Sequence, residues 1–274
     1  MSSARDIAGR FVAARQEATA LPAFPGDPPD SLTVSYRVQD EAIALWPDEI
    51  GGWKIGRVPA PQVSALGAER LAGPIFRHLV WRANGAEVAI PVFERGFAAV
   101  EAEYVLRIAH DVPPEDNEWT REDAIDLIAA MHTGVETAGS PLATINDLGA
   151  TVVVSDFGNN HGLILGPEVA NWRARLEEGL ACETFIDDTS VGRGEARGGP
   201  DDPIDALVFL LGNLARRGRT LKAGQLISTG AVTGVHDIRI GQHARVSFEG
   251  SGDILCSAVK AVPNGGFKSE LGFA

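Results

Sequence analysis

Cysteine is scarce in this sequence, and neither of the two residues, Cys182 and Cys256, belongs to a CxxC pair. The sequence therefore predicts neither a zinc knuckle nor a disulfide framework, and we interpret both as ordinary buried thiols. There is also no run of about 18 consecutive apolar residues, the least that a membrane-spanning helix needs. Positive charge is in deficit, because 24 Lys and Arg stand against 37 Asp and Glu, which gives a formal net charge of -13. That charge would repel nucleic acid and anionic membrane surfaces, so we expect neither as a partner.

The start of the chain lacks the features of a secretory leader. Residues 1–15 carry three arginines among apolar residues, but no continuous hydrophobic segment followed by a cleavage site of small residues. This pattern is typical of an amphipathic helix. With 274 residues, 45% of them hydrophobic, the chain is long enough to bury a large core, and we expect a folded cytoplasmic protein.

Hydrophobic periodicity predicts two helices near the start, over residues 4–17 and 34–46, separated by a loop rich in proline and glycine at residues 21–29. From Gly52 onward, short apolar or alternating runs are typical of strands. These runs lie at residues 53–58, 87–92, 98–109, 149–154, 163–165, 226–228 and 244–248.

Two further helices interrupt the predicted strands. The first begins after Thr120, which opens a Thr-x-x-Asp capping pattern, and runs to Met131. The second has Asp202 as its cap, starts at Pro203 and ends before Gly218. Few helices among many irregularly spaced strands predict a β-rich α+β fold rather than an alternation of strands and helices.

The most informative segment is the predicted strand that contains Glu101 and Glu103. Side chains repeat every two residues along a strand, so these two carboxylates project from the same face. Two like charges so close together are unfavourable unless a cation or a proton compensates them. Mg²⁺ or Mn²⁺ with oxygen ligands is the natural compensation. The alternative is a strand whose charged face is simply solvated.

A third acidic residue, Glu136, follows the helix that is predicted to run to Met131. Its apolar neighbours indicate the half-buried start of a strand, but an exposed loop position fits the local sequence equally well. The residue alone does not decide between the two.

Several short motifs occur in an order that resembles the 2-keto-4-pentenoate hydratases and their relatives, the oxalocrotonate decarboxylases, in the fumarylacetoacetate hydrolase superfamily. The motifs are Trp53-Lys54-Ile55-Gly56, Gly73-Pro74-Ile75-Phe76, Glu101-Ala102-Glu103, Val135-Glu136, Ser155-Asp156, Leu221-Lys222-Ala223-Gly224, Ser228-Thr229-Gly230 and Ile240-Gly241. The resemblance covers nearly the whole chain, including Ala13-Ala14-Arg15, Tyr36 and Gln39 in the first two predicted helices. It implies a mixed β-roll or barrel, with an N-terminal helical or lid region over residues 1–75 and a catalytic core over residues 76–274. It also implies a homo-oligomer.

The resemblance further implies a metal-dependent hydratase, a carbon–oxygen lyase. Such an enzyme adds water to a 2-hydroxydienoate or 2-oxo-enoate, such as 2-keto-4-pentenoate, in the catabolism of aromatic compounds. Glu101, Glu103 and Glu136 would hold Mg²⁺ or Mn²⁺ and leave positions open for the 2-oxo and carboxylate oxygens of the small 2-oxo acid. The ion would then stabilise negative charge on the 2-oxygen.

Other site residues follow from the same resemblance. Lys54 matches the lysine of the family, in the role of a proton donor or an electrostatic partner of the enolate, and we expect burial to lower its pKa. Thr229 and Thr233 lie in the Gly-rich loop that binds the substrate carboxylate in relatives. Small residues in that loop permit a close backbone approach.

The chain departs from the family pattern in two segments. Where the hydratases carry an aspartate that works with the lysine, this chain has Phe76-Arg77-His78-Leu79. Either His78 performs the acid–base step, which the pKa range of histidine allows, or the chemistry differs from hydration. Asp156 is retained as a catalytic candidate, although Phe157 replaces the asparagine that usually follows it. His161 either lines the substrate pocket or caps a turn.

Three other functions stay open. A decarboxylase of the 4-oxalocrotonate type would use the same metal site. A carbon–carbon hydrolase of the fumarylacetoacetate type would need a His/Glu pair on a lid helix, and residues 54–73 contain Glu69 but no histidine. A metal-dependent 2-oxo-acid-binding protein without turnover is the non-enzymatic alternative, and the retention of Lys54 with the three carboxylates argues against it.

Overall fold

The structure is a computed structural model that describes residues 2–115, 118–199 and 202–263. The helices within these ranges are α1 (Ala4–Gln16), α2 (Leu32–Leu45), α3 (Ala60–Leu66), α4 (Arg121–Asp126), α5 (Ala150–Ser155), α6 (Trp172–Glu178) and α7 (Pro203–Arg216). The strands are β1 (Ile50–Arg57), β2 (Arg70–Phe76), β3 (Val80–Arg82), β4 (Val88–Val92), β5 (Phe97–Ile108), β6 (Ile128–Ser140), β7 (Asn160–Glu168), β8 (Leu180–Ile186), β9 (Thr189–Ala196), β10 (Leu226–Ser228), β11 (His236–Asp237), β12 (His243–Phe248) and β13 (Gly252–Lys260).

The strands build two sheets of mixed direction. The larger sheet has the order β2-β1-β10-β5-β6-β7-β3, with β11 paired to β5, and the smaller has the order β4-β13-β12-β8-β9. In the larger sheet β1 is parallel to β10 and antiparallel to β2, and in the smaller sheet β13 is parallel to β4 and antiparallel to β12. This mixture confirms the predicted β-rich α+β class.

Local sequence signals set the ends of the longer helices as predicted. Ser3 caps α1, because its hydroxyl accepts a hydrogen bond from the Asp6 amide at 3.2 Å in a reciprocal capping box. Asp202 caps α7 by accepting from the amides of Ile204 and Asp205, with proline at the first helical position. The predicted helices over residues 4–17, 34–46 and 203–217 are therefore confirmed within one or two residues.

Apolar side chains form two main clusters. Side chains from both sheets share the larger cluster with α7, as shown by Leu106 of β5, Val246 of β12 and Leu210 of α7. The second cluster joins the N-terminal helices to α5 and β2, and includes Phe11 and Val154. The helices near the start of the chain are thus packed onto the larger sheet rather than attached only through a linker.

Two secondary-structure predictions were wrong. Residues 149–154 were expected to form a strand because they contain three consecutive valines, but they form α5, which begins after Gly149 at φ 95° and buries its valines in the second cluster. The helix predicted from Thr120 to Met131 ends at Asp126, and β6 begins at Ile128. In both segments tertiary packing decides between helix and strand, because short apolar runs fit either pattern.

Other expectations have mixed outcomes. Cys182 and Cys256 are buried free thiols, as predicted. No helix in the described part of the chain is long and apolar enough to cross a membrane. Strand β1 and all of β2 except its last residue, Phe76, lie within residues 1–75, and both strands belong to the larger sheet. The division of the chain near residue 75 stays a prediction.

Candidate functional site

Three glutamates from two neighbouring strands converge in the larger sheet. Glu101 and Glu103 alternate along β5, and Glu136 of β6 lies directly opposite Glu101 in the antiparallel register. One carboxylate oxygen from each residue lies within 4.8 Å of the other two, and all three side chains are buried. The two alternatives, a solvated strand face and an exposed loop acid, therefore do not describe these residues.

Hydrogen bonds fix one oxygen of Glu103 and one of Glu136. The Ser228 hydroxyl donates to Glu103 Oε2 at 2.6 Å, and the Gly230 amide donates to the same oxygen at 2.8 Å. The Asn160 side-chain amide donates to Glu136 Oε1 at 3.0 Å. The other oxygens, Glu103 Oε1 and Glu136 Oε2, have no hydrogen-bond partner among the described residues. Each of these two carboxylates is thus held in place with one oxygen left to bind something else.

Burial makes the negative charge of the cluster unfavourable. It raises the pKa of Glu101 to about 7, with the charge of Glu136 acting in the same direction and Lys54 opposing it. Burial, together with the charges of Glu136 and Glu101, also raises the pKa of Glu103 well above its usual range. A proton or a cation must compensate such a cluster. Hard carboxylate oxygens are the ligands that Mg²⁺ and Mn²⁺ prefer, so this donor set fits a divalent cation.

Lys54 of β1 places an ammonium group beside the cluster. Its side chain is 5% exposed, and Nζ lies 3.3 Å from Glu136 Oε1 and donates to Asn159 Oδ1 at 3.2 Å. Burial by itself would lower the pKa of Lys54, but the charges of Glu136, Glu101 and Glu103 outweigh it and raise the pKa above its usual value. The expectation that burial lowers this pKa was therefore wrong, because it ignored the neighbouring carboxylates. The lysine carries a positive charge in this environment.

The register of three strands explains why these groups meet. β10 lies between β1 and β5, with Ser228 opposite Lys54 on one side and opposite Val105 on the other. Ser228 can therefore reach Glu103, which is two residues from Val105 on β5. The turn after β10 brings the Gly230 amide to the same carboxylate.

Lys54 and Glu101 line a cavity of about 780 Å³. Apolar residues form much of its wall, and polar side chains on it include Asn146, Asn159 and Thr229. A small acid bound in this cavity would have hydrogen-bonding groups within reach beside Lys54 and Glu101.

The two threonines assigned to substrate binding have protein partners. Thr229 lines the cavity, and its hydroxyl donates to the Tyr104 carbonyl at 2.6 Å, which leaves the oxygen able to accept. Thr233 Oγ1 lies 2.8 Å from Thr184 Oγ1. Contact of either threonine with a substrate stays a prediction.

Three other predicted site residues lie apart from the carboxylate cavity. The His78 side chain is 61% exposed, its Nδ1 lies 2.6 Å from Asp48 Oδ1, and it lines a second cavity together with His161. Asp156 is fully buried, and the Arg15 guanidinium donates to both of its carboxylate oxygens. The structure does not bring these three side chains into the cavity that Lys54 lines.

Sequence reasoning did not assign the residues that support the cluster. These are Asn159, Asn160, Ser228 and Gly230. Asn159 and Asn160 follow the second segment that departs from the family pattern, and Asn160 begins β7. Ser228 stands in one of the family motifs. Polar residues beside apolar strands are a sequence signal for a functional role. That signal does not reveal which carboxylate each residue contacts.

Known proteins resemble the chain in both sequence and structure, although no protein-family model matches it. It is 28% identical over 158 residues to 2-keto-4-pentenoate hydratase 2 of Dechloromonas aromatica (strain RCB), a match that covers 57% of this chain. The chain spans only 58% of the length of that relative.

Solved structures share the fold at low sequence identity. The 4-oxalocrotonate decarboxylase from Pseudomonas putida G7, solved with calcium and acetate, has a TM-score of 0.78 at 18% identity, covering 93% of this chain and 97% of that one. The fumarylpyruvate hydrolase from Pseudomonas aeruginosa, solved with Mn²⁺ and pyruvate, has a TM-score of 0.54 at 16% identity, covering 76% of this chain and 88% of that one. With the sequence match, these likenesses support the family predicted from the motifs. The chain is similar in sequence to the 2-keto-4-pentenoate hydratases over 57% of its length, and it shares its fold with the 4-oxalocrotonate decarboxylase and the fumarylpyruvate hydrolase.

Proposed function

We propose that this protein is a divalent-metal-dependent hydratase that adds water to a 2-hydroxydienoate or 2-oxo-enoate of the 2-keto-4-pentenoate type. The observation that carries the proposal is the charge of the buried site. Three carboxylates, Glu101, Glu103 and Glu136, face one ammonium group, Lys54. When all four are ionised their charges sum to -3 + 1 = -2, which one divalent cation offsets.

Glu101, Glu103 and Glu136 would hold the ion, with Mg²⁺ or Mn²⁺ as its identity. The oxygens without partners among the described residues, Glu103 Oε1 and Glu136 Oε2, are available as ligands. Ser228 and Asn160 keep both side chains oriented by hydrogen bonds to the opposite oxygens. When bound, the ion would supply positive charge that stabilises a negative 2-oxygen on the substrate.

Lys54 would act as a proton donor or as a second positive charge beside the substrate. The neighbouring carboxylates raise the pKa of Lys54 and keep its ammonium group charged, which favours the electrostatic role, because a proton donor works best with a pKa near the working pH. Asn159 accepts a hydrogen bond from Nζ and limits where the ammonium group can point. The cavity on which Lys54 opens gives a small acid access to it.

Decarboxylation of a 4-oxalocrotonate-type acid is the second candidate. The placement of His78 favours it, since that residue lines a different cavity from Lys54 and Glu101. Hydration requires a group that manages the proton of the attacking water. Loss of carbon dioxide chiefly requires stabilisation of the negative charge left on the 2-oxo acid, which the same charged site can supply.

A direct test is turnover with Mg²⁺ or Mn²⁺ present. A 2-hydroxydienoate and a 4-oxalocrotonate-type acid are each incubated with the protein, and water addition is distinguished from carbon dioxide release by mass spectrometry. The hydratase proposal expects a product heavier than the dienoate by one water, and Glu101→Gln should abolish its formation. Carbon dioxide without hydration would favour the second candidate. Metal binding without turnover of either acid would favour the non-enzymatic alternative.

A further inference from the structure

One tight turn, residues 157–159 between α5 and β7, contacts Lys54 at two points. Gly158 lies against the aliphatic part of the lysine, since a Cβ atom at that glycine would lie 3.2 Å from Lys54 Cδ. The next residue, Asn159, accepts a hydrogen bond from Nζ through Oδ1 at 3.2 Å. The turn therefore holds both the stem and the charged end of the side chain that lies beside the carboxylates.

All three residues of this turn have positive φ. The values are 55° at Phe157, 66° at Gly158 and 55° at Asn159. Glycine adopts this region readily, and asparagine tolerates it better than most other residues. The turn also packs directly on β2, because a Cβ atom at Gly73 would collide with the Phe157 carbonyl oxygen. Such backbone persists only where the surrounding structure holds it, so packing keeps the backbone that carries the Asn159 side chain in place.

The Asn159 side chain has one hydrogen-bond partner at each end. An ammonium group only donates, so the amide oxygen must face Lys54 and the NH₂ group must point away from it. That NH₂ group donates to Asn146 Oδ1 at 3.1 Å. Rotation of the amide by half a turn would set Nδ2 against Nζ, two donors, and would lose the bond to Asn146. The contact with Asn146 therefore favours the orientation in which Asn159 can accept from the ammonium group.

Asn146 belongs to the segment between β6 and α5, is exposed, and lines the same cavity as Lys54 and Asn159. We propose that Asn146 is a positioning residue for Lys54. It acts through Asn159 and keeps the ammonium group beside Glu136. The role rests on the proposed function, because Lys54 is the group that would act on the substrate.

Steady-state kinetics of the full chain, with Mg²⁺ and the acid that the wild type turns over, test this role. Asn159→Gly removes the side chain without straining the turn and should lower kcat by about ten-fold or more, the scale of a hydrogen bond to a charged group. Asn146→Ala should lower kcat by about five-fold, the scale of a neutral hydrogen bond, and leave KM unchanged. In a Lys54→Met background Asn146→Ala should have no further effect, because the ammonium group that it positions is gone.

Two substitutions on the same segment are the controls. Asn146→Asp keeps an acceptor for Asn159 Nδ2 and should keep kcat within about three-fold of the wild-type value. The comparison uses kcat at saturating substrate, because a carboxylate added to the cavity lining would repel an anionic acid and raise KM. Asp147→Ala removes an exposed neighbour that does not line the cavity, and it should change neither kcat nor KM.

A measurement without turnover separates this role from the proposed function. The Lys54 ammonium resonance is followed by proton–nitrogen NMR with Mg²⁺ present. Asn146→Ala should shift that resonance, whereas Asp147→Ala should not. If the wild type turns over no acid and the resonance still shifts, the positioning is supported and only the proposed function is contradicted.

Three results would overturn the proposal. An unchanged Lys54 resonance in Asn146→Ala would show that Asn146 does not position the ammonium group. An equal loss of kcat from Asn146→Ala with and without Lys54 would show that Asn146 acts independently of the lysine. A higher KM with unchanged kcat in Asn146→Ala would make Asn146 a substrate contact instead.

Discussion

The Lys54 ammonium group lies 3.3 Å from Glu136 Oε1, in a site where both side chains are buried. Replacing it with a neutral side chain of similar length tests its role without opening a large void. We predict that Lys54→Met lowers kcat by about 100-fold or more, the usual scale for removal of a general acid, while Mn²⁺ binding is retained. Steady-state kinetics and a Mn²⁺ titration measure the two quantities.

The matched control for that variant is Lys222→Met. Lys222 is exposed and pairs with Asp111, and it does not line the carboxylate cavity. Its substitution should leave kcat unchanged. A Lys54→Met variant with the same kcat as the wild type would show that Lys54 has no catalytic role.

The sequence and the structure lead to different expectations for His78. The resemblance made it the substitute for a missing aspartate, whereas the structure places its Nδ1 beside Asp48, at a cavity that Lys54 does not line. We predict that His78→Ala keeps kcat/KM within about three-fold of the wild-type value, as expected for a residue that does not touch the reacting atoms. A loss comparable to that of Lys54→Met, with disappearance of a titration from the pH–rate profile, would restore the acid–base role.

At the scale of elements, one buried arginine joins α1 to the larger sheet. Arg15 Nε donates to Asp156 Oδ1 at 2.6 Å, and the two terminal nitrogens donate to the carbonyls of Asn160 and Gly139 at 3.1 and 2.9 Å. Asn160 in turn donates to Glu136. Arg15 therefore connects α1 to the start of β7, where Asn160 supports the carboxylate cluster.

We predict that Arg15→Met lowers the free energy of unfolding by about 3–5 kcal/mol, because it leaves the buried Asp156 carboxylate without its charged partner, with only the Ser140 hydroxyl among the described residues still donating to it. Urea denaturation followed by circular dichroism measures this change. Arg5→Met is the matched control on the same helix. Arg5 forms an exposed pair with Glu41, so its loss should change stability by no more than about 1 kcal/mol. Similar stabilities for the two variants would show that the buried pair does not hold α1 in place.

The elements that the sequence predicted are those in which local signals and packing agree. The Asp202 cap and Pro203 fix the start of α7, and alternating side chains along β5 put Glu101 and Glu103 on one face. α5 and the start of β6 could not be predicted in this way. The valines of α5 favour a strand locally, and β6 exists because it pairs along the whole length of β5.

At the scale of the whole molecule, the candidate site gathers side chains from distant parts of the chain. Lys54, Asn159 and Glu136 are brought together by strand order and register, which a single sequence does not reveal. The family resemblance named Lys54 and the three glutamates as site residues. It did not reveal that Asp156 pairs with Arg15, or that the two histidines line another cavity.

Assembly of the chain stays a prediction. The resemblance implies a homo-oligomer, so multi-angle light scattering at micromolar concentration should give a mass that is a multiple of 29.0 kDa. A mass equal to that of one chain would contradict the expectation. The carboxylate site itself is assembled from one chain, and this measurement leaves the metal proposal unaffected.

We expect Glu101, Glu103 and Glu136 to form one divalent-metal site, and Mn²⁺ titration followed by electron paramagnetic resonance detects binding of the ion without relying on turnover. We predict one bound Mn²⁺ per chain. Replacing Glu101, Glu103 or Glu136 with Gln should each lower the Mn²⁺ affinity by more than about 100-fold, a larger loss than is usual when a residue that only hydrogen-bonds to a metal ligand is replaced. Glu195→Gln is the control, because Glu195 lines the same cavity but pairs with Arg197. Absence of Mn²⁺ binding to the wild type, or equal Mn²⁺ affinity in all four variants, would rule out a metal site at these three glutamates.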